Sequence, residues 1–560
     1  MTESPIPQRA WRSALARNKY FLYLTAFFSG MSVMAVELGA SRLLAPYFSS
    51  SQIVWTVIIG TIMIALALGH VIGGRLVDKR PDPDHLYFRL LIAALWIAAI
   101  PFVGKYGIAA CSLALALVVK NNFLVWASLA SCFLLFVFPL LMLGTVSPAL
   151  IKFSVDNLED NGKIVGELEA ISTIGSIIGT FLPTFVTIPT VGTAATFLLF
   201  AGILACISAI YFLSRRKHRV RSVVAILVIF ALFFVPGKNT FAFWETDLLY
   251  EGESIYNYLQ VKETPRSIIF STNVLEGVQS ILMKDESQMT GLYYEYALAG
   301  PLMAGVPAKP GGNSGNVGSA AAAAADHDLL ILGLGTGTYA TQCLNYFPGM
   351  RIEGVELDEK IVSLAHSFFR LPQAVNVAVA DGRIHLQNSG QFDVILVDAY
   401  QDITIPFQLS SLEFFSMVND HLRREGVMVV NLNMHSGKEG AINDYLCDTI
   451  SAVFPYVYTM PLPNVTNTVL FAFQDLQAMD RFAQGILTLP DNDPLTPLLS
   501  QLQAGLIRYM PGNLLLTDDK APVELLGIQV IDEIIGGYLQ DMQQQFRKEG
   551  ILGLMRSVGF

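Results

Sequence analysis

The pattern of apolar and polar positions changes character near residue 250 of this 560-residue chain. Before it, long unbroken apolar runs dominate. A helix needs about 20 apolar residues to cross a hydrocarbon layer. The candidate runs are 20–47, 52–74, 86–104, 106–119, 123–150, 164–188, 192–213 and 221–236. The fourth and eighth are short, as for a re-entrant or interfacial helix, so the pattern predicts six to eight spans. Beyond 250 the period shortens. Residues 253–283 alternate apolar and polar, the signature of half-buried strands. Residues 305–327 are rich in Gly, Ala, Pro and Ser and read as a flexible insertion. Strand-like and helix-like stretches then take turns. DLLIL runs into a glycine loop, followed by MRIEGVELD, VNVAVADG, FDVILVDAY, GVMVVNLN and TVLFAFQ, with a helix expected over 408–424. Such alternation predicts a parallel, doubly wound α/β sheet.

Composition sharpens this division. Hydrophobic residues make up 53% and charged residues only 15%, against about 25% charged in an ordinary soluble domain. That excludes a disordered chain, a nucleic-acid-coating protein and an ordinary soluble enzyme. Residues 1–240 hold 19 basic and 10 acidic side chains, a balance of +9; the remainder holds 17 and 36, a balance of −19. The basic part fits loops anchored at a membrane surface, and the acidic part does not suit a phosphate-rich partner. The organisation expected is an N-terminus over 1–19, a multi-pass helical bundle over 20–240, a β-rich segment over 250–304, the insertion over 305–327, and a Rossmann-like domain of methyltransferase type over 328–560. Positive charge at Arg9, Arg12, Arg17 and Lys19 places the N-terminus in the cytoplasm. So do Arg75, Lys79, Arg80 and Arg89 for the loop after the second span. Six spans, with 221–236 lying on the membrane, keep the basic cluster at 215–221 and the C-terminal domain on that same side. The apolar stretch at the start is too long for a signal peptide. The cysteines, Cys111, Cys132, Cys206, Cys343 and Cys447, form no metal-binding spacing and no disulfide framework.

The chemistry concentrates after residue 279. Gly333, Gly335 and Gly337 form a GxGxG loop between a strand and a helix, where a backbone without side chains can approach a nucleotide-like ligand. Glu356 ends the next strand, at the spacing that lets a carboxylate accept both ribose hydroxyls. A dinucleotide is the first alternative for such a loop. The missing third glycine, and Asp381-Gly382 closing the following strand, point instead to an adenosyl-sulfonium ligand. Asp398 ends the strand after that and faces the same crevice, as a base or a cation anchor.

These residues resemble the spermidine synthases, the polyamine aminopropyltransferases. LEGVQS, containing Gln279, is similar to the family's LDGxxQ hairpin. Asp285-Glu286 followed by YYEYALAGPL is similar to its DE…YHEMxxHxPL helix, and the glycine loop, VELD, DG and DVILVD follow in register. MAVELGASRLLAPYF, GHVIGGRLVDKRP and LLTDDKAPVELL look like bacterial proteins that fuse a transporter-like membrane half to such a synthase. The resemblance implies transfer of an aminopropyl group from decarboxylated S-adenosylmethionine, a co-substrate and not a resident cofactor, to an amine such as putrescine. It implies that Gln279, Glu356, Asp381, Gly382 and the three loop glycines hold the donor and that Asp398 accepts the proton. It also implies no metal, a homo-oligomer, a lipid bilayer around the first half, and a cytoplasmic synthase domain in the inner membrane.

The amine side departs from the pattern. Thr336 stands where the family's glycine loop carries a polyamine-binding Asp, Tyr294 where it carries His, and Gln401 at the place of a second acid. Tyr293, Tyr294, Glu295, Thr336 and Asp402 are the candidates to rebuild an amine site. Three readings stay open: putrescine aminopropylation, another adenosyl-sulfonium-dependent transfer, and a non-catalytic sensor or transporter. In the membrane half, Glu37 and Arg42 each either bond a polar partner on another helix or line a polyamine path. Gly69, Gly73 and Gly74 are expected to serve close helix packing.

Overall fold

The computed structural model describes Leu15 and residues 18–155, 161–274, 277–285, 288–309, 324–398, 405–433, 436, 438–463 and 465–557. The chain divides into two compact units, Met1–Trp244 with Leu539–Phe560, and Glu245–Tyr538. The hydropathy pattern alone extends the second unit to 560. In the structure the end of the last helix, Val523–Ser557, groups with the first. Gln543 there donates to the carbonyls of Ala116 and Val119.

The first unit is helical. Its described elements are α1 (Lys19–Phe48), α2 (Gln52–Lys79), α3 (Pro83–Ala116), α4 (Phe123–Ser154), α5 (Asn161–Leu182), α6 (Ile188–Arg215) and α7 (Arg219–Leu232). Caps set the starts: Asn18, Ser51 and Asp82 each accept a backbone N–H in the first turn of α1, α2 and α3. The two runs 86–104 and 106–119 are one helix and not two spans. Lys105, which interrupts the apolar pattern, does not end the helix because its ammonium donates to the carbonyls of Gly237 and Thr240, 3.1 Å away.

Among the described residues, five helices are long and apolar enough to cross a membrane, the last running 54 residues from Gly162 to Arg215. At 1.5 Å per residue that is about 80 Å, more than twice the ~30 Å hydrocarbon thickness. It does not run straight. Gly192 has φ 83° and ψ 169°, and the two halves run in opposite directions. Near the start of α5, Glu167 pairs with Lys19 at 2.8 Å. Near the end of α6, Tyr211 stacks on Tyr87 at 4.1 Å, and Tyr87 packs on Phe21 at 5.6 Å. The start of α5 therefore meets the first turn of α1 directly, and the end of α6 reaches it through Tyr87 of α3. Gly175 and Gly179 of α5 lie against the backbone of Phe27 and Met31, with no room for a Cβ. Gly69 and Gly73 approach α4 in the same way, whereas Gly74 faces open space. α7 has 14 residues, about 21 Å, too short to cross.

The second unit opens with a four-stranded antiparallel sheet, β1 (Leu248–Glu253), β2 (Tyr258–Glu263), β3 (Ser267–Ser271) and β4 (Ser280–Met283). A larger sheet follows: β5 (Asp328–Leu332), β6 (Arg351–Glu356), β7 (Val375–Val379), β8 (Phe392–Val397), β9 (Leu422–Leu432), β10 (Tyr456–Pro461), β11 (Thr468–Phe473) and β12 (Ile507–Arg508). Its order is β12-β10-β11-β9-β8-β5-β6-β7. The β9-β8-β5-β6-β7 block is parallel, as expected. β10, β11 and β12 are antiparallel, so the sheet is mixed. Only six residues separate β10 from β11, and a link so short can make only a hairpin. The helix expected over 408–424 is Leu412–Asp420, preceded by a single turn at Phe407–Leu409. Most of the 305–327 insertion lies outside the described residues.

Alternate residues of the central strands feed two separate cores. Leu329, Ile331, Val394 and Leu396 pack on one face. Leu330, Leu332, Ile395 and Val397 pack on the other. Strands apolar on both faces must be covered by helices on both faces, which puts the sheet at the centre of the unit. From β5 the chain goes to β6 and β7 on one side and to β8 and β9 on the other. Strand order reverses at β5, and the crevice beyond its carboxyl end is where such sheets bind ligands.

Candidate active site

The crevice at the reversal point is a pocket walled by the ends of β5, β6, β7 and β8, by β4 and by the Tyr293–Ala297 turn of helix. The glycine loop enters it first. Gly333, Gly335 and Gly337 have φ of 92°, 56° and 83°, all in the left-handed region that side chains disfavour. A Cβ on Gly335 would stand 2.9 Å from the Ser280 hydroxyl, and one on Gly337 would run into Leu371. The loop is pinned from below. Gly335 N–H donates to Glu356 Oε2 at 2.9 Å, and Thr336 N–H donates to Ser280 Oγ at 3.2 Å. The hydroxyl of Thr338 closes the join by donating to the Ile281 carbonyl at 2.8 Å.

Glu356 is 7% exposed, and its other oxygen accepts the Asp358 N–H at 3.1 Å. Burial pushes its carboxyl up to about 7, against the pull of the N–H groups of Asp358 and Gly335. Asp381 lines the pocket and caps its helix, accepting the Ile384 N–H at 2.9 Å. Gly382 begins that helix and also lines the pocket.

Asp398 lies opposite, just past the end of β8. Tyr293 donates its hydroxyl to one carboxylate oxygen. Asn431 donates its amide to the other at 2.9 Å, and Asn467 in turn donates to Asn431 at 2.8 Å. Burial dominates and raises the Asp398 carboxyl to about 7, with the Tyr293 and Asn431 hydrogen bonds pulling it down. The group is therefore poised near neutrality, where a general base works best. Tyr294 packs on Tyr293 with ring centres 4.1 Å apart and donates to the Gln279 carbonyl at 2.7 Å. Both phenols are held far above their usual range, mainly by burial.

The structure brings Gln279, Tyr293, Tyr294, Gly333, Gly335, Glu356, Asp381, Gly382 and Asp398 to one pocket. Four candidates stand apart. Gly337 does not line the pocket and stands at the N-cap of the helix Thr338–Tyr346. Glu295 is 1% exposed and does not line the pocket. Its oxygens accept the backbone N–H and hydroxyl of Thr290 at 2.7 Å and the Gln342 amide at 2.8 Å, so it braces a turn. Thr336 is 1% exposed, and its hydroxyl is buried with no partner among the described residues. Asp402, like Gln401, lies outside the described residues. The register of the first motif also shifts by one. In LEGVQS the sixth place of the LDGxxQ pattern is Ser280, the residue that grips the glycine loop. Asn431 and Asn467 belong to no motif in the sequence. Asn431 had a signal, an amide near the end of the apolar run GVMVVNLN, where a buried polar group needs a partner.

The spermine/spermidine synthase domain family matches residues 317–478. A probable polyamine aminopropyl transferase of Bifidobacterium longum (strain NCC 2705) is 44% identical over 366 residues, covering 62% of this chain and 78% of the relative. A polyamine aminopropyltransferase of Vibrio vulnificus (strain CMCP6) is 25% identical over 281 residues, 47% of this chain and 86% of its own. Among solved structures, a probable spermidine synthase from Corynebacterium glutamicum ATCC 13032 aligns with a TM-score of 0.34 and 18% identity, over 48% of this chain and 98% of that one. With nearly four fifths of the Bifidobacterium relative matched at that identity, the chain belongs to the polyamine aminopropyltransferase family, enzymes with a spermidine-synthase domain.

Proposed function

We propose that the pocket transfers the aminopropyl group of decarboxylated S-adenosylmethionine to an amine such as putrescine, giving spermidine and methylthioadenosine. The observation that carries this is the facing pair of carboxylates, Glu356 on the glycine-loop side and Asp398 on the tyrosine side of one crevice. Glu356, Asp381, Gly382, Gln279 and the loop glycines hold the adenosyl part. Asp398 does the proton work. A free amine has a pKa near 10 and is protonated at neutral pH, hence not a nucleophile. An ionised Asp398 positions the ammonium and takes one proton from it. The freed lone pair attacks the propyl carbon next to the sulfonium. The new C–N bond forms as the C–S bond breaks, and its electron pair neutralises the sulfur. Holding the two reactants in line supplies much of the rate.

The amine site is proposed to use Tyr293 and Tyr294, which line the pocket, and Asp402. Glu295 and Thr336 act behind it, on the turn and the glycine loop. The helical unit is proposed to lie in a lipid bilayer with six passes, α5 and α6 counting as two. An even count keeps the basic N-terminus and the synthase unit both in the cytoplasm, where the donor is made. The homo-oligomer implied by the family is part of the same proposal.

The test is purified full-length protein with decarboxylated donor and a panel of diamines and polyamines. Methylthioadenosine released together with one lengthened amine is the expected result. No release with any amine overturns it.

A further inference from the structure

The motif LLTDDKAPVELL, which the reaction scheme leaves unused, is bolted to the wall of the pocket. Arg383, next to the pocket residue Gly382, makes a bidentate pair with Asp518 of that motif, both N–O distances 2.7 Å. The same guanidinium donates to the Gln408 carbonyl at 3.1 Å. Ser411 donates to Asp518 Oδ1 at 2.5 Å and also caps the helix Leu412–Asp420. Asp518 N–H donates to Glu413 at 3.0 Å, and Leu412 N–H to the Leu516 carbonyl at 2.8 Å. Each of these bonds ends on the segment 405–413, on the Asp381 helix, or on the 516–518 segment that joins them. Pro406, Gln408 and Leu409 of that segment line the pocket. Arg383 itself does not line it, so it touches no reacting atom.

We propose that Arg383 and Asp518 are positioning residues: their ion pair latches the Pro406–Leu409 wall onto the Asp381-Gly382 side and so sets affinity for the sulfonium donor. The inference rests on that pocket being the donor site. A planar guanidinium facing a carboxylate through two parallel bonds fixes direction as well as distance, which a lysine would not. The pair is partly exposed, with side chains 21% and 38% accessible, so its contribution is moderate and sensitive to salt. A latch on one wall acts on the ligand touching that wall, and the amine approaches from the Tyr293 side.

Full-length wild-type protein is compared with Arg383→Gln, Asp518→Asn, Ser411→Ala and the charge-swapped Arg383→Asp/Asp518→Arg double variant. The readouts are KM for decarboxylated donor, KM for putrescine, kcat, and Kd for methylthioadenosine. The latch predicts a rise of about 5- to 10-fold in donor KM and methylthioadenosine Kd for either single charge change. It predicts a smaller rise for Ser411→Ala, partial recovery in the swap, and kcat and amine KM within about twofold. Singles that fold and bind methylthioadenosine as tightly as wild type overturn it, even if their Tm falls. So does an equal rise in both KM values. Wild-type protein that binds no methylthioadenosine overturns the donor-site reading and the latch with it. If neither single change folds, Ser411→Ala and the swap decide between the same outcomes.

Discussion

On the Glu356 side of the pocket, three glycines at positive φ, a buried carboxylate and a capped helix interlock through short bonds, and Gln279, Gly333, Gly335, Glu356, Asp381 and Gly382 line one cavity. On the Tyr293 side, the described candidates divide. Asp398, Tyr293 and Tyr294 line the cavity, whereas Glu295 is turned into a brace for Thr290 and Thr336 carries a buried hydroxyl without a partner among the described residues. The contrast teaches where a site can vary. The proposed donor side is built from backbone geometry, and a change there breaks the loop. The proposed amine side is built from side chains on a firm scaffold, and it can change without unfolding anything.

A change at Asp398 separates the two sides most sharply. Asp398→Asn keeps the shape and the Tyr293 contact but accepts no proton. Its kcat is expected to fall about 10²- to 10⁴-fold, with methylthioadenosine affinity, read by calorimetry, within about twofold. Next comes the donor side. Glu356→Gln removes a charged acceptor and sets an amide against the Gly335 N–H, so methylthioadenosine Kd rises roughly 10- to 100-fold. The amine KM should hardly move, and an equal loss on both substrates would erase the distinction between the sides.

Thr336→Asp returns a carboxylate to the place where the family pattern carries one. Because position 336 is 1% exposed and does not line the pocket, that carboxylate would be buried and unpaired, so Tm should fall while the diamine KM does not improve. A diamine KM that falls about tenfold in steady-state kinetics would show that the side chain at 336 reaches the amine after all. The smallest effect is in the pH profile. With the Asp398 carboxyl near 7, kcat/KM should drop tenfold per unit below about pH 7, because only the ionised form takes the proton. Tyr293 and Asn431 both donate to that ionised form. Tyr293→Phe and Asn431→Leu should each move the acid limb upward, by up to about one unit. A downward move contradicts the hydrogen-bond assignment.

Much of this was legible in the chain because it depends on local pattern. The parallel strands announce themselves as short apolar runs, and the glycine loop, VELD and DG sit at the ends of those runs, where the crevice must be. What was not legible depends on distant partners. Lys105 reads as a break in a helix until the carbonyls of Gly237 and Thr240 accept its charge. The reversal at Gly192 shows only through the neighbours that α5 and α6 share on α1. Glu295 reads as a substrate ligand in its motif, yet two residues, one of them 47 positions away, claim its oxygens. Asn467 orients Asp398 through Asn431, across two strands that pair side by side. No spacing in the sequence encodes such a relay.

The central claim is that a C–N bond forms at the propyl carbon of the sulfonium donor. The most direct measurement gives full-length protein a donor isotopically labelled in the propyl chain, with putrescine, and follows the label by mass spectrometry. Label is expected in the lengthened amine, with an equal amount of unlabelled methylthioadenosine, both lost in Asp398→Asn. Label left on the adenosyl product, with a methylated amine, would contradict it.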